Sequence, residues 1–307
     1  MTNSFRERFF GILPPVITPL DDDGNFDVDS ARTLYQFHLD AGVHGLFLFG
    51  SSGEGPLLNA NQREQTLKIA TEVVAGRVPI LAGVLTPGTQ QAISQAQVAK
   101  NLGADALVVA PPFYFPATQN EVLNHFRAVR SAVDLPIVAY DIPVTTKVKI
   151  ELPTMLKLAE EGTIVGVKDS SGDVAGFRRL LSRRPNGFKL LTGSELLVDS
   201  VMAMGADGSV PGLANVAPEL FTQLYNHWTN NRFEEAISLQ KKLVRLFDVF
   251  ADKSGTVRAG SAIAGMKISM QLRGVITTTR LCEPFLPADD EQVERVRSIL
   301  NELELLP

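Results

Sequence analysis

A single cysteine, Cys282, and a single tryptophan, Trp228, are all that 307 residues contain of either type. One thiol cannot close an internal disulfide, and no Cys/His cluster has the spacing of a zinc site, so neither a cross-link nor a metal is expected to hold the fold. A basic excess is missing too: 29 Lys and Arg against 34 Asp and Glu leave a formal net charge of −5. Such a chain has no surplus with which to neutralise a phosphate backbone or an anionic bilayer, which argues against nucleic-acid and membrane partners. No segment approaches the roughly 20 consecutive apolar residues of a bilayer span, and the opening MTNSFRERFF is too charged for the apolar region of a signal peptide. A soluble protein of the reducing cytoplasm is the expectation. What remains, 45% hydrophobic and 21% charged, is an ordinary globular composition with enough chain for a large core.

Short apolar runs recur along the chain: Ile12 to Thr18, Gly45 to Phe49, Val78 to Val84, Ala106 to Ala110, Pro136 to Tyr140, Thr163 to Lys168, Phe188 to Leu191 and Gly208 to Pro211. Stretches with helical spacing lie between them, such as Asp29 to Ala41, Asn61 to Ala75, Gln90 to Leu102 and Gln119 to Val133. Runs like Leu107-Val-Val-Ala110 do not alternate polar with apolar, so they suit strands covered on both faces, as in a parallel sheet. Three strand approaches, Ala41-Gly-Val-His-Gly45, Gly103-Ala-Asp-Ala106 and Gly205-Ala-Asp-Gly208, place glycine where a left-handed helix cap is wanted. A closed barrel and an open doubly wound sheet both fit this alternation. Eight units within roughly 230 residues favour the (β/α)8 TIM barrel, whose usual length is about 250. Beyond Trp228 the pattern is purely helical, with Phe233 to Phe250, Ser261 to Leu272 and Asp289 to Leu303 as candidates. The expected division is a barrel over 8–230 and a C-terminal helical extension over 231–307.

A barrel of this kind carries its active site at the carboxyl ends of the strands, so polar residues there outrank the others. Gly166-Val-Lys-Asp-Ser-Ser-Gly172 ends an apolar strand on Lys168. An amine held in a dry mouth is pushed toward its neutral form, able to attack a carbonyl. A lysine there can equally pair with a carboxylate or reach out to water. Gly50-Ser-Ser-Gly-Glu-Gly55 follows another strand and offers two hydroxyls and several backbone N–H groups, a receptor for a carboxylate or phosphate or an ordinary capped turn. It lacks the glycine and lysine spacing of nucleotide-binding loops. Tyr140 closes a third strand, either as core packing or as a proton-transfer group. His38, His44, His125 and His227 lie in or beside helical runs and read as structural, and Asp21-Asp-Asp23 with Gly24 reads as a solvated turn.

These segments, with Pro14-Pro-Val-Ile-Thr-Pro19, Pro112-Phe-Tyr-Phe-Pro116, Tyr140-Asp-Ile-Pro143, Gly205-Ala-Asp-Gly208 and Ala214-Asn-Val216, resemble the dihydrodipicolinate synthase and N-acetylneuraminate lyase family along nearly the whole chain. The resemblance implies a pyruvate-dependent class I aldolase with no metal or organic cofactor, its electron sink being a covalent imine with Lys168. It implies that Tyr140 transfers protons, Ser51 joins the tyrosine relay and Ser52 holds the pyruvate carboxylate. Tyr114 matches the aromatic that a partner subunit lends to the relay, in a homotetramer built as a dimer of dimers. Val210 matches an aliphatic residue facing the bound keto acid. Thr145 stands where dihydrodipicolinate synthases have an arginine for the carboxylate of aspartate semialdehyde. Gly193, Glu195 and Gly212 fall where sialate lyases contact the polyol tail, although Leu196 and Gly212 replace a second acid and a serine. Asp141 replaces the family's usual asparagine. A sialic acid or 2-keto-3-deoxy sugar acid is therefore the expected substrate, cleaved to pyruvate and an aldehyde. The alternatives are 4-hydroxy-tetrahydrodipicolinate synthase activity, dehydration of a keto-deoxy sugar acid, and a keto-acid-binding sensor.

Overall fold

Eight short strands run in parallel in the computed structural model, which describes residues 2–307: β1 (Gly11–Ile12), β2 (Leu46–Leu48), β3 (Ile80–Val84), β4 (Ala106–Val109), β5 (Ile137–Asp141), β6 (Gly166–Asp169), β7 (Lys189–Thr192) and β8 (Gly208–Ser209). Each pairs with its sequence neighbour from β2 to β8, and β8 pairs with β1. The ring closes through the segment after β1: Phe47 N–H donates to the Pro14 carbonyl at 3.0 Å and Val16 N–H to the Phe47 carbonyl at 2.9 Å. The first strand is shorter than its apolar run, Ile12 to Thr18, because Pro14 and Pro15 have no N–H to give a ladder. The result is the (β/α)8 TIM barrel.

Helices form the outer layer, and the sequence explains their ends. Asn59 and Thr118 cap the helices Ala60–Val74 and Gln119–Ala132 with reciprocal capping boxes, and Asp27 caps Val28–Asp40. Gly42, Gly103 and Gly205 take φ of 74°, 89° and 95° before strands, the left-handed exit that a side chain resists. Four more helices, Leu152–Glu160, Val174–Leu181, Val198–Ala203 and Pro218–Thr229, complete the alternation.

Two apolar layers result. One lies inside the barrel and includes Phe9, Phe47, Leu81, Val108, Val138, Tyr140, Leu191 and Val210. The other fills the space between strands and helices, and Leu243, Leu246, Met266, Ile268 and Val296 of the C-terminal helices join it. The extension, built on Phe233–Leu246, Ala259–Leu272 and Asp290–Glu302, thus shares the barrel's core. No helix of the described residues is long and apolar enough to cross a membrane.

Candidate active site

Register decides what faces the barrel axis. Tyr140, Lys168 and Leu191 are partners across β5, β6 and β7, so their side chains share one face, while Asp141 and Asp169, one residue on, take the other. Lys168 therefore enters the mouth of an apolar interior and is only 5% exposed. Its Nζ donates to Tyr140 Oη at 3.1 Å. The amine also lies 4.3 Å from the centre of the Tyr140 ring and 5.0 Å from that of Phe47. Phe47 packs edge-on against Tyr140, with 6.1 Å between centroids, and so fixes the phenol's plane.

The loops above β2, β7 and β8 bring further groups to this mouth. Glu195 is buried, and its Oε1 accepts the Gly212 N–H at 2.5 Å. Burial raises its carboxyl above the usual range, while the backbone N–H of Gly212 and the nearby charge of Lys168 oppose that shift. Gly212 is small for a reason: a Cβ there would sit 3.0 Å from Glu195 Oε1 and 3.4 Å from Ser52 Oγ. Gly193 is likewise hemmed in, since its Cβ would meet Ser170 Oγ at 2.0 Å and Lys168 Cε at 3.1 Å. Val210 is buried in the inner layer beside Tyr140 and Leu191. Lys168 thus lies against Tyr140 and Gly193, Gly212 against Glu195 and Ser52, and Val210 shares the inner layer with Tyr140, all at the carboxyl ends of the strands.

Three expected residues stand apart from that group in the single chain. Ser51 is exposed in the turn after β2, and the hydrogen bond that reaches Tyr140 Oη comes from Lys168. Thr145 is exposed on the short helix Pro143–Thr146. Tyr114 is 84% exposed, its ring edge-on to the equally bare Phe115 at 5.0 Å, with a left-handed φ of 80°.

Sequence reading passed over Phe47, Ser170 and the partners of Asp141. Phe47 sits in Leu46-Phe-Leu-Phe49, where uninterrupted apolarity hides which residue points inward. Ser170 is two residues beyond Lys168, which puts it on the same face, and that spacing was the available signal. Asp141 points away from the mouth, pairs with Lys149 and accepts the Ile150 N–H at 3.2 Å. Of the four histidines, His44 Nδ1 accepts the Ile12 N–H at 3.2 Å, His125 bonds Thr89 at 3.0 Å, and His38 is buried with neither ring nitrogen in a hydrogen bond. Asp21 folds its own turn by accepting the N–H groups of Asp23 and Asn25. Among the described residues no cluster of three or more His, Cys, Asp or Glu is placed to hold a metal ion.

A (β/α)8 barrel that brings a buried lysine and a tyrosine to adjoining strand ends has the groups that imine chemistry needs. The chain belongs to the dihydrodipicolinate synthetase family, whose model matches residues 8–303. A DapA-like lyase of Halobacterium salinarum is 36% identical over 296 residues, 96% of this chain and 94% of that protein. A probable 2-dehydro-3-deoxy-D-pentonate aldolase of Escherichia coli is 32% identical over 306 residues, covering 98% and 99%. Among solved structures, a prophage protein of the dihydrodipicolinic acid synthase family from E. coli K12, in complex with pyruvate, superposes with a TM-score of 0.90 at 27% identity, covering 97% and 99%. The protein is accordingly a pyruvate-dependent class I lyase or aldolase.

Proposed function

We propose that the protein cleaves a 2-keto-3-deoxy sugar acid or a sialic acid into pyruvate and a hydroxylated aldehyde, with Lys168 as the imine-forming residue. The observation that carries this reading is the buried Lys168 Nζ, 3.1 Å from Tyr140 Oη in an apolar mouth. The amine adds to the substrate's C2 carbonyl, and loss of water gives a protonated imine. Removal of the C4 hydroxyl proton, with Tyr140 as the base's last link, breaks the C3–C4 bond. Its electron pair moves into the imine to form an enamine, and the aldehyde leaves. Protonation at C3 and hydrolysis of the imine release pyruvate and free Lys168. No metal or organic cofactor enters this sequence.

Ser52, 3.4 Å from a Cβ built on Gly212, is suited to hold the keto-acid carboxylate. Glu195 argues for the other half of the substrate: an acidic wall accepts hydroxyl protons and repels an anionic aldehyde. Thr145 offers no bidentate clamp for a second carboxylate. The pentonate aldolase among the relatives supports the same choice. Tyr114 reaches a site only if a second copy of the chain receives it, and its bare, strained placement supports that assembly, a homotetramer on the family pattern. A cytoplasmic location, where a lone thiol stays reduced, goes with this reading.

Incubation with pyruvate, borohydride reduction and peptide mass mapping tests the chemistry. An adduct on Lys168 is expected, and its absence refutes the mechanism. Release of pyruvate, read with lactate dehydrogenase, then separates cleavage of deoxy sugar acids from dehydration. Condensation with N-acetylmannosamine, glyceraldehyde or aspartate semialdehyde ranks the aldehydes. A preference for aspartate semialdehyde would replace the lyase reading by synthase activity.

A further inference from the structure

The turn after β2 is built against its own preferences. Phe49 and Glu54 both take left-handed φ, 61° and 55°, without being glycine. Each such residue is strained and persists only where the surroundings over-determine it. Inside the barrel wall the turn is held by Thr18 Oγ1, which donates to the Gly53 carbonyl at 2.7 Å, and by Arg63, which donates to the carbonyls of Gly55 at 3.2 Å and Gly83 at 2.8 Å. A further anchor comes from the C-terminal extension. Lys267, on the helix Ala259–Leu272, forms an ion pair with Glu54 at 2.6 Å, and both side chains are 0% exposed. Glu54 Oε1 also accepts the Cys282 N–H at 2.6 Å, and Lys267 Nζ donates to the Arg280 carbonyl at 2.6 Å.

We infer that Glu54 and Lys267 are positioning residues for the keto-acid carboxylate: the buried pair sets the height of the Ser51-Ser52 turn above Lys168, so the C-terminal extension belongs to the substrate site. The inference rests on the proposed keto-acid chemistry and deepens it. A buried ion pair adds little net stability, because desolvation offsets most of the attraction. What it supplies is geometric selection. Glu54 must meet an ammonium on one helix and a backbone N–H beyond it, and one position of the turn satisfies both. Neither residue touches the reacting atoms. Glu54 precedes Gly55, where a Cβ would lie 2.0 Å from the Phe49 carbonyl, so a shift of Glu54 is transmitted to the whole crossing.

The test is the double variant Glu54→Gln with Lys267→Met, which removes both charges at similar volume and is expected to melt within a few degrees of the parent. The readout is the pyruvate concentration that half-saturates borohydride-trapped adduct on Lys168. A displacement of the turn by about 1 Å predicts a rise of roughly tenfold to a hundredfold, with full trapping at saturation. A purely structural role would lower the melting temperature or the amplitude and leave half-saturation alone. Glu54→Asp, which keeps both charges of the buried pair and shortens the link between the turn and the helix by one methylene, gives the same readout should the double variant fail to fold. Parental half-saturation in whichever variant folds overturns the inference. Absence of any adduct in the parent instead overturns the keto-acid reading beneath it.

Discussion

Replacing Asp141 by asparagine should make the protein more stable at neutral pH and leave it unchanged in acid. Asp141 follows Tyr140 on β5, beside Asp169 of β6, and is 1% exposed. Burial pushes its carboxyl up from the ordinary 3.8 to about 6, against the pull of Lys149 and the Ile150 N–H, with Asp169 adding to the rise. A carboxyl with a higher value in the folded state keeps its proton after the unfolded chain has lost it. Its penalty is therefore absent below about pH 4, grows through the interval to about pH 6, and is complete above it. Roughly two units correspond to about 3 kcal/mol. In Asp141→Asn the amide oxygen still accepts from Ile150, and Lys149, whose side chain is 37% exposed, can turn its ammonium to water. The variant should exceed the parent by up to about 3 kcal/mol at pH 7, with the gap closing toward pH 4. Denaturant unfolding at pH 4, 5, 6 and 7 measures it. Parallel pH profiles for the two proteins, or a less stable variant at pH 7, would show that the ion pair with Lys149 outweighs desolvation and would refute the reasoning.

Three further outcomes are expected. Tyr140→Phe keeps the ring against Phe47 and loses the hydroxyl, so turnover should drop by roughly 10²- to 10⁴-fold with the fold intact by circular dichroism; turnover within a factor of two of the parent would remove the phenol from proton transfer. Gly193→Ala places a methyl 2.0 Å from Ser170 Oγ and 3.1 Å from Lys168 Cε, so adduct formation with pyruvate should slow by roughly tenfold or more; trapping kinetics measure it, and an unchanged rate would mean the mouth yields freely. Glu195→Gln should raise KM for a hydroxylated aldehyde and relax discrimination against aspartate semialdehyde in a competition assay, and an unaltered ratio of kcat/KM values would place the specificity elsewhere.

Much of this site is written in local patterns. Lys168 and Tyr140 each end an apolar run, and a parallel strand followed by a polar turn announces its carboxyl end. The glycines at 42, 103 and 205 mark strand entries because the left-handed exit is a local backbone requirement. The helices of the C-terminal extension were legible from apolar spacing, whereas Leu152–Glu160 and Val174–Leu181 were too short for a period to show. The strand of Phe47 was evident and its inward direction was not, since an unbroken apolar run carries no alternation.

Residue types at strand ends, helix caps and turn glycines thus came from the chain itself, for each depends on neighbours a few positions away. The register that sets Tyr140 beside Lys168, the orientation of Asp141 away from the mouth, and the pairing of Glu54 with Lys267 were decided only when the barrel closed and the C-terminal helices packed on it. Such contacts join residues far apart in sequence, and their energies arise from burial, which no local pattern contains.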